Sequence, residues 1–323
     1  MNQTPIAINI NFDSLNQAYG FPEGFRDPSF FEGMDRFLEI ANRYKTPLTI
    51  FVIGRDLKNQ EIYSRVRDWS NAGHEIGNHS WSHPVNLGRL SPEEIKDEIL
   101  KTHEIITQCT GKEPTGFIAP AWSTSKDLVN ALIDLDYLYD TSVFPSILLY
   151  PAMIMNAFHF LKQPNEVKKI LCRADWLRPI FSPTRPFLAG RKFQILESEE
   201  KEESILILPL PTINRVLPCI WHSVGFMLGW KLIQNQLKKL LKDHNGFYYL
   251  LHPADFLGPA DENNRHQHAL YRMKIPLEKK IKCIEIIFDQ LAQSGRAFST
   301  MHELASHHHG WKTGSTLEKI GND

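Results

Sequence analysis

The sequence predicts a single α/β domain, a (β/α) barrel of about seven parallel strands. Short apolar runs of strand character alternate along the chain with amphipathic stretches of helical period. One run, residues 47–54, is almost continuously apolar and lies between proline and glycine, as in strands that are buried on both faces. Polar side chains follow the strands directly, which is typical of the carboxyl end of a barrel, where the active sites of such folds lie.

The elements can be assigned from the amino terminus onward. Residues 6–12 are β-branched and alternating, and predict a strand that ends at Asp13. A helix follows Ser29, a plausible N-cap, and a polar helix is expected near 61–71. The run Ser-Pro-Glu-Glu at 91–94 combines an N-cap, a first-turn proline and a third-position glutamate, so it predicts a helix start. Further strands are predicted at 116–122, 137–142, 205–211, 246–253 and 296–300, and further helices at 91–109, 125–136, 229–243 and 276–293.

The alternation of strands and helices lapses between residues 144 and 204. We interpret this region as an insertion into one barrel domain that spans residues 1–305. Residues 147–161 are apolar but interrupted by a proline, and they are compatible with a lid, a membrane-surface segment or an additional core helix. Residues 306–323, with three adjacent histidines, predict a disordered tail.

The composition is that of an ordinary globular protein. The 323 residues are 42% hydrophobic and 23% charged, with a formal net charge of −1, so no nucleic-acid partner is expected. The four cysteines lie far apart without a CxxC pair, which favours reduced thiols. The first residues lack the basic and apolar regions of a secretory signal, and no window is apolar enough to span a bilayer. The expectation is a cytoplasmic location, with the inner face of the membrane as the alternative.

Residues 74–84, HEIGNHSWSHP, carry the clearest chemical signal. His79 and His83 stand four residues apart, a spacing that places two imidazoles on one face of a helical turn. Neutral imidazole is the commonest ligand of zinc and similar metals, so the pair predicts a metal site with a third ligand, a carboxylate, from elsewhere. The HExxH motif of zinc proteases is absent because no histidine follows His74-Glu75 at the required position. The alternative is a pair of ordinary core or surface histidines.

Taken in chain order, the polar groups after the strands form a series. Its members are Asp13, the His79/His83 pair, the turn Ala119-Pro120-Ala121-Trp122, Asp140 and His252. The series resembles the motifs of the NodB-type polysaccharide deacetylases, carbohydrate esterase family 4, over about residues 6–304. Members of that family have a distorted (β/α) barrel and remove an N- or O-acyl group from a sugar with one divalent metal.

The resemblance implies roles for particular residues. Asp13, His79 and His83 would be the metal ligands, with zinc as the expected ion and cobalt, nickel or manganese as alternatives. His252 would be the general acid, which as imidazolium protonates the leaving amine. Asp140 is expected to assist catalysis by orienting His252, unless it only caps a helix or turn. Trp81, Pro120 and Trp122 are expected to contact the substrate, with ordinary core packing as the alternative for the two tryptophans.

The first and third motifs depart from the family pattern. The commonest form has two adjacent aspartates, a base and a ligand, where this chain has Asp13-Ser14. Another branch has Asp-x-Asp, which makes Asp13 the ligand and places Asn11 at the position of the base. An amide cannot take a proton from water. Ile118 stands where relatives usually have the arginine that holds the base, and losing both charges together leaves neither one buried and unpaired.

Three alternatives for catalysis follow. Asp13 could itself be the base, another carboxylate such as Asp140, Glu75 or Asp175 could have taken over, or the site could bind sugar without turning it over. We favour an active hydrolase because the histidine pair and His252 are all present.

The sequence therefore predicts a metal-dependent hydrolase that removes an N-acyl group from an amino sugar in a glycan or lipid-linked glycan precursor. Residues 147–161 and 221–230 are apolar and aromatic and would provide peripheral contact with a membrane or an isoprenoid carrier. A small-molecule amidase and a catalytically impaired carbohydrate-binding protein are the alternatives. The sequence does not predict an oligomeric state.

Overall fold

The computed structural model describes residues 4–21, 25–148, 154, 181–196, 203–243, 245–261 and 271–313. Ten strands form one sheet within these residues. They are β1 (Ile6–Asn11), β2 (Thr49–Val52), β3 (Glu75–Asn78), β4 (Gly116–Phe117), β5 (Tyr139–Asp140), β6 (Phe187–Gly190), β7 (Ile195–Leu196), β8 (Ser204–Ile207), β9 (Tyr248–Leu251) and β10 (Phe298–Ser299).

Helices occupy most of the connections between the strands. They are α1 (Leu15–Tyr19), α2 (Glu32–Arg43), α3 (Gln60–Asn71), α4 (Pro92–Thr110), α5 (Lys126–Asp134), α6 (His222–Leu228), α7 (Trp230–Asp243), α8 (Leu277–Ala292) and α9 (Met301–Thr313). The predicted start of α4 is confirmed, because Ser91 and Glu94 form a reciprocal capping box and Gly111 ends the helix in the left-handed conformation. No helix of the described residues is both long and apolar enough to cross a bilayer.

The sheet is mainly parallel, which confirms the predicted α/β fold. The strand order is β10-β1-β2-β3-β4-β5-β8-β6-β7, with β9 paired to β1, and only the pairs β6–β7 and β6–β8 are antiparallel. The barrel is not closed by a continuous ladder. Between β8 and β9 the described residues give only an isolated bridge between Trp221 and Leu250. The antiparallel hairpin β6–β7 lies in the predicted insertion 144–204 and extends the sheet at this edge.

Alternation along β1 separates an outer layer from the barrel interior. Ile6, Ile8 and Ile10 pack in the core that contains residues of α2, α3, α7 and α8. Ala7, between them, packs in a second core with side chains of other strands, including Phe51, Ile118, Tyr139, Tyr248 and Leu250. Because successive side chains of a strand point to opposite faces, Asn9 and Asn11 lie on the interior face with Ala7. The interior face of β1 therefore leads toward Asp13 at the carboxyl end.

The end of the chain differs from the prediction. Residues 306–313 are helical in α9, so the expected disordered tail is wrong for this part. Thr300 and Glu303 bond to each other's backbone N–H groups as a reciprocal cap, and Met301, Leu304 and Ala305 are buried in the interior core. This capping pattern is visible in the sequence. Residues 314–323 and most of the apolar segment 147–161 lie outside the described residues.

Candidate metal centre

The candidate site lies at the carboxyl ends of β1, β3 and β9. Asp13 follows β1 by two residues, His79 follows β3 directly, and His252 follows β9 directly. Parallel strands end at the same edge of a sheet, so the three side chains meet although they are far apart in sequence. His79 is fully buried, and the side chains of Asp13 and His252 are 16% and 7% exposed.

A loop, not a helical turn, brings His83 beside His79. Two non-glycine residues of this loop have left-handed backbone angles, Ser80 with φ 62° and His83 with φ 57°. Asn78 stabilises the turn, because its side-chain oxygen accepts the Ser80 N–H at 2.9 Å. The expected helical geometry of the pair is wrong, since β3 runs directly into this loop.

Glu98, on α4, holds the middle of the same loop. Its carboxylate accepts the backbone N–H groups of Trp81 and Ser82 at 3.0 and 2.8 Å, and the Ser82 hydroxyl at 2.6 Å. These three bonds fix the strained loop against the helix. They are a local reason why His83 is presented to the site.

The predicted ligands Asp13, His79 and His83 converge. Their ligand atoms all lie within 4.8 Å of one another. The Asp13 Oδ1 atom is 3.2 Å from His79 Nε2 and 3.4 Å from His83 Nε2. Within the described residues, these are the His, Cys, Asp or Glu side chains that lie close enough together in a group of three to hold one metal ion.

The contacts of His79 indicate the protonation state of its ring, and hence which kind of group fits between these atoms. Its Nδ1 lies 2.7 Å from the Ile118 carbonyl oxygen, which can only accept, so Nδ1 carries a proton. Burial lowers the pKa of His79, which favours the neutral ring with a lone pair on Nε2. That lone pair faces the Asp13 carboxylate, and His83 Nε2 has no hydrogen-bond partner among the described residues. A cation suits this arrangement, and the two imidazoles and one carboxylate fit zinc, cobalt, nickel or manganese.

The charge state of Asp13 agrees with this role. Burial by itself raises the pKa of this carboxyl, but its contacts with His79 and His83 and the nearby His252 hold the pKa well below the ordinary value. Asp13 is therefore a carboxylate at neutral pH. Metal ligands have to be deprotonated, so the site is prepared for a cation.

The second carboxylate oxygen of Asp13 faces a different group of residues. Oδ2 accepts the Tyr19 hydroxyl at 3.4 Å and lies 3.9 Å from His252 Nε2. Burial and the nearby Arg272 lower the pKa of His252 to about 4. The lowered pKa favours the neutral ring, so His252 has to gain a proton before it can act as the imidazolium donor. Its Nδ1 has no hydrogen-bond partner among the described residues.

The structure places the two departures from the family pattern inside the barrel. Asn11 is 4% exposed, and its side-chain oxygen has no hydrogen-bond partner among the described residues. The Ile118 side chain is fully buried in the interior core, while its backbone oxygen holds His79. If a carboxylate stood at position 11, it would find no positive charge at position 118. This agrees with the prediction that the base carboxylate and its arginine partner were lost together.

The other carboxylates considered as bases lie elsewhere. Asp140 accepts the backbone N–H and the hydroxyl of Ser142, and no hydrogen bond or ion pair between described residues joins it to His252. Burial raises the pKa of Asp140 to about 7. Glu75 lies at the amino end of β3, the opposite end from His79. Asp175 lies outside the described residues. The expected orienting role of Asp140 is therefore not supported by a contact.

Aromatic side chains border the site. The Trp122 ring lies 5.2 Å from Phe144 and 5.6 Å from Trp221, between ring centroids, and both tryptophans are partly exposed. Pro120 is buried and begins the short turn in which Ala121 and Trp122 have positive φ. The Trp81 ring packs over Gly54 instead, with the Lys58 ammonium 5.1 Å from its centroid. Substrate contact by these three residues stays a prediction.

Three residues near the site were missed in the sequence. Asp255 is fully buried and accepts the His252 backbone N–H at 2.9 Å. Arg272 lies 3.6 Å from Asp255 and donates to the Tyr19 hydroxyl at 3.1 Å. The position of Asp255, three residues after His252 with an intervening proline, is a recognisable turn signal. No local pattern singles out Tyr19 or Arg272.

The part of the chain that carries Asp13, His79 and His83 is similar to deacetylases of the NodB type. Residues 7–139 match the family model described as polysaccharide deacetylase, which confirms the predicted resemblance over this part of the chain. A crystal structure of a candidate polysaccharide deacetylase from Mycobacterium smegmatis superposes with a TM-score of 0.58, covering 97% of this chain and 96% of that chain. At 16% identity, this likeness concerns the fold.

Two curated relatives are more similar in sequence. The peptidoglycan deacetylase of Helicobacter pylori is 28% identical over 149 residues, which are 46% of this chain and 48% of the relative. The chitooligosaccharide deacetylase of a Bradyrhizobium strain is 30% identical over 124 residues, 36% of this chain and 55% of the relative. The chain thus spans about half the length of the curated relatives it matches.

Proposed function

We propose that the protein is a metal-dependent deacylase that removes an N-acyl group of acetyl type from an amino sugar. The observation that carries the proposal is the convergence of Asp13, His79 and His83, with His252 Nε2 3.9 Å from Asp13 Oδ2. The names of the two relatives, deacetylases of peptidoglycan and of chito-oligosaccharide, support an acetylated glycan as substrate.

When bound at Asp13, His79 and His83, a divalent metal supplies a Lewis acid that polarises an acyl carbonyl and lowers the pKa of water. The chain supplies the proton transfers. Neutral His252 can accept a proton on Nε2 from the attacking water. Asn11, at the position of the usual base, cannot accept one, because its side chain is an amide. The resulting imidazolium lies beside the Asp13 carboxylate and then donates the same proton to the departing nitrogen. The proton taken from water thus leaves with the amine, and His252 returns to its neutral form.

The aromatic cluster of Trp122, Phe144 and Trp221 supports a saccharide substrate. Partly exposed tryptophan rings offer a flat apolar face, which suits the C–H face of a sugar ring. Trp221 also bridges to Leu250 through its backbone, two residues before His252. A sugar stacked on this cluster would therefore lie near the proton-transferring group.

We further propose a lipid-linked glycan precursor as substrate, handled at the cytoplasmic face of the membrane. Residues 221–230 lead from Trp221 to Met227 and Leu228, which are each 49% exposed. Exposed apolar side chains on the helix that follows Trp221 suit a lipid carrier. In a flotation assay, the protein is expected to rise with vesicles of anionic phospholipid, and the variant M227S/L228S is expected to rise less. Equal flotation of both proteins, or none, would contradict this part of the proposal.

The deacylase proposal is tested by metal content and activity together. The purified protein is expected to hold about one zinc, cobalt, nickel or manganese ion per chain and to deacetylate chito-oligosaccharides. The variant H79A/H83A is expected to lose both properties. The matched control H103A/H302A removes two histidines away from the site and should keep both.

Each contrary outcome points to a different conclusion. A protein that binds the metal and the oligosaccharide but releases no acetate would be the carbohydrate-binding protein that Asn11 allows. A metal-loaded protein that cleaves small N-acyl amides but no saccharide would be the amidase. A protein that rejects every added metal would contradict the assignment of Asp13, His79 and His83.

A further inference from the structure

One guanidinium links the two halves of the candidate site. Arg272 Nη1 donates to the Ser223 hydroxyl at 2.6 Å and lies 3.6 Å from Asp255 Oδ1. Arg272 Nη2 donates to the Tyr19 hydroxyl oxygen at 3.1 Å. The Arg272 side chain is 19% exposed, and Asp255 is fully buried. These contacts lie on the side of Asp13 opposite to His79 and His83.

We propose that Arg272 is a positioning residue that acts through Tyr19 on the metal ligand Asp13 and through Asp255 on His252, an inference that rests on the proposed metal-dependent function. It orients Asp13 so that Oδ1 faces the histidine pair, and it fixes the distance between Asp13 and His252. The planar fork of arginine suits such a task, because its two ends donate in fixed directions to different acceptors.

The Tyr19 branch depends on the direction of its hydrogen bonds. Arginine has only donors, so the Tyr19 oxygen must accept from Arg272, and its single proton is left to donate. The acceptor within reach is Asp13 Oδ2, at 3.4 Å. With Oδ2 occupied by this donor, the lone pairs of Oδ1 remain for the metal side. Outer hydrogen bonds of this kind orient the ligating atoms of metal sites.

The Asp255 branch fixes the backbone at the end of β9. Asp255 Oδ2 accepts the His252 N–H at 2.9 Å, and Asp255 Oδ1 accepts the Ser223 hydroxyl at 3.2 Å. The Arg272 charge compensates the fully buried Asp255 carboxylate, which would otherwise be costly to ionise. A shift of Arg272 would therefore move both Asp13 and His252, the two groups between which the proton has to pass.

The charge of Arg272 also matters because the third motif offers none. Ile118 occupies the place of the usual family arginine, and its side chain is buried among apolar groups. Arg272 comes from a turn at the other end of the chain, Tyr271–Lys274, and approaches Asp13 from the side of α1. The positive charge near the metal ligand Asp13 thus comes from a different element, the turn that carries Arg272.

The test uses Co²⁺ as the probe, with dissociation constants from titration and the visible absorption spectrum of the bound ion. Losing an outer partner of a ligand typically weakens metal binding by about 10- to 100-fold. We therefore expect Y19F to raise the Co²⁺ dissociation constant about tenfold, and R272M by on the order of 10- to 100-fold. Both variants should alter the cobalt spectrum. The double variant Y19F/R272M should bind Co²⁺ no more weakly than R272M, because Arg272 acts through Tyr19.

Arg36 provides a matched control. It forms a bidentate pair with Asp261 and donates to the Phe256 carbonyl, close to the same loop but without a contact to Tyr19. R36M should leave Co²⁺ affinity and the spectrum unchanged. Thermal melting identifies variants that do not fold. If R272M is among them, Y19F decides the question, since it removes a single hydroxyl.

The outcomes separate this inference from the proposed function. Wild-type protein that binds no Co²⁺ contradicts the metal-dependent function itself, and the inference with it. Wild-type protein that binds Co²⁺ while Y19F and folded R272M do so with the same affinity and spectrum overturns the inference alone. Additive losses in the double variant would overturn the route through Tyr19.

Discussion

The two ends of strand β3 carry partly buried carboxylates with opposite surroundings. Glu75 begins the strand and His79 follows it, on the same face and roughly 13 Å apart at about 3.3 Å per residue. At the amino end, Glu75 accepts the Tyr139 hydroxyl at 2.8 Å, the Thr49 hydroxyl at 2.7 Å and the His302 N–H at 2.8 Å. At the carboxyl end, Asp13 faces ring nitrogens, of which His83 Nε2 has no hydrogen-bond partner among the described residues.

The difference shows how to distinguish a structural acid from a ligand. A buried carboxylate surrounded by donors is already satisfied, and it stabilises the elements that supply those donors. Glu75 in this way joins three strands and the first turn of α9. Asp13 accepts the Tyr19 hydroxyl with Oδ2, whereas its Oδ1 faces two ring nitrogens, and a cation between them would satisfy all three atoms. Burial alone does not separate the two cases, because both carboxylates lie inside the fold.

The largest expected effect in this comparison concerns His252. The variant H252A should lower the deacylation rate by about 10²- to 10⁴-fold, since it removes the group that accepts and returns the proton. It should keep about one metal ion per chain, because His252 lies 3.9 Å from Asp13 and is not one of the converging ligands. The measurements are steady-state kinetics and elemental analysis. An unchanged rate would remove His252 from the proposed mechanism.

At the amino end of β3, the substitution E75A should lower the stability of the fold. In E75A the Tyr139 hydroxyl, the Thr49 hydroxyl and the His302 N–H lose their acceptor within the fold. Leaving a buried donor unsatisfied costs about 1–3 kcal/mol. Tyr139 and Thr49 are buried, whereas His302 is exposed, so the free energy of unfolding should fall by about 2 kcal/mol or more. The affinity for Co²⁺ should stay unchanged. Urea unfolding and metal titration provide the two readouts. A loss of metal comparable to that in H79A/H83A would mean that the two ends are not independent.

Asp140 allows a further effect to be measured through pH. Burial raises its pKa from the ordinary value of 3.8 to about 7, so the folded chain binds this proton more tightly than the unfolded chain. Its contribution to stability is therefore fully present below about pH 4 and is lost as the pH rises to about 7. The loss is at most about 1.4 kcal/mol per pH unit.

The variant D140N cannot ionise at this position and isolates the contribution. Its stability relative to wild type should rise between pH 5 and pH 8, and the metal affinity should not change. Unfolding free energies at several pH values test this expectation. Parallel curves for the two proteins would show that Asp140 does not titrate as its burial indicates. A strong loss of deacylation activity in D140N would indicate that Asp140 takes part in catalysis.

The sequence by itself determined the class of fold and pointed to the three residues that meet in the candidate metal site. These features leave local traces, because buried parallel strands have continuous apolar runs and capping residues stand at fixed offsets. The histidine pair was identified from its spacing, and the resemblance to the NodB-type deacetylases added Asp13. The structure brings the three side chains together at the carboxyl ends of the strands. The predicted helical turn between the two histidines was wrong, since they are joined by a loop. Their side chains still meet Asp13, because the ends of the parallel strands bring them to the same edge of the sheet.

Only the tertiary structure decided which groups surround these ligands. Tyr19, Asp255 and Arg272 lie on three separate segments, and their contacts depend on how those segments pack. The roles of Glu75 and Asp140 were decided in the same way, by the donors that each carboxylate meets inside the fold. Hydrogen bonds and burial are properties of distances between remote side chains. A sequence records the identity of those side chains, and folding sets the distances.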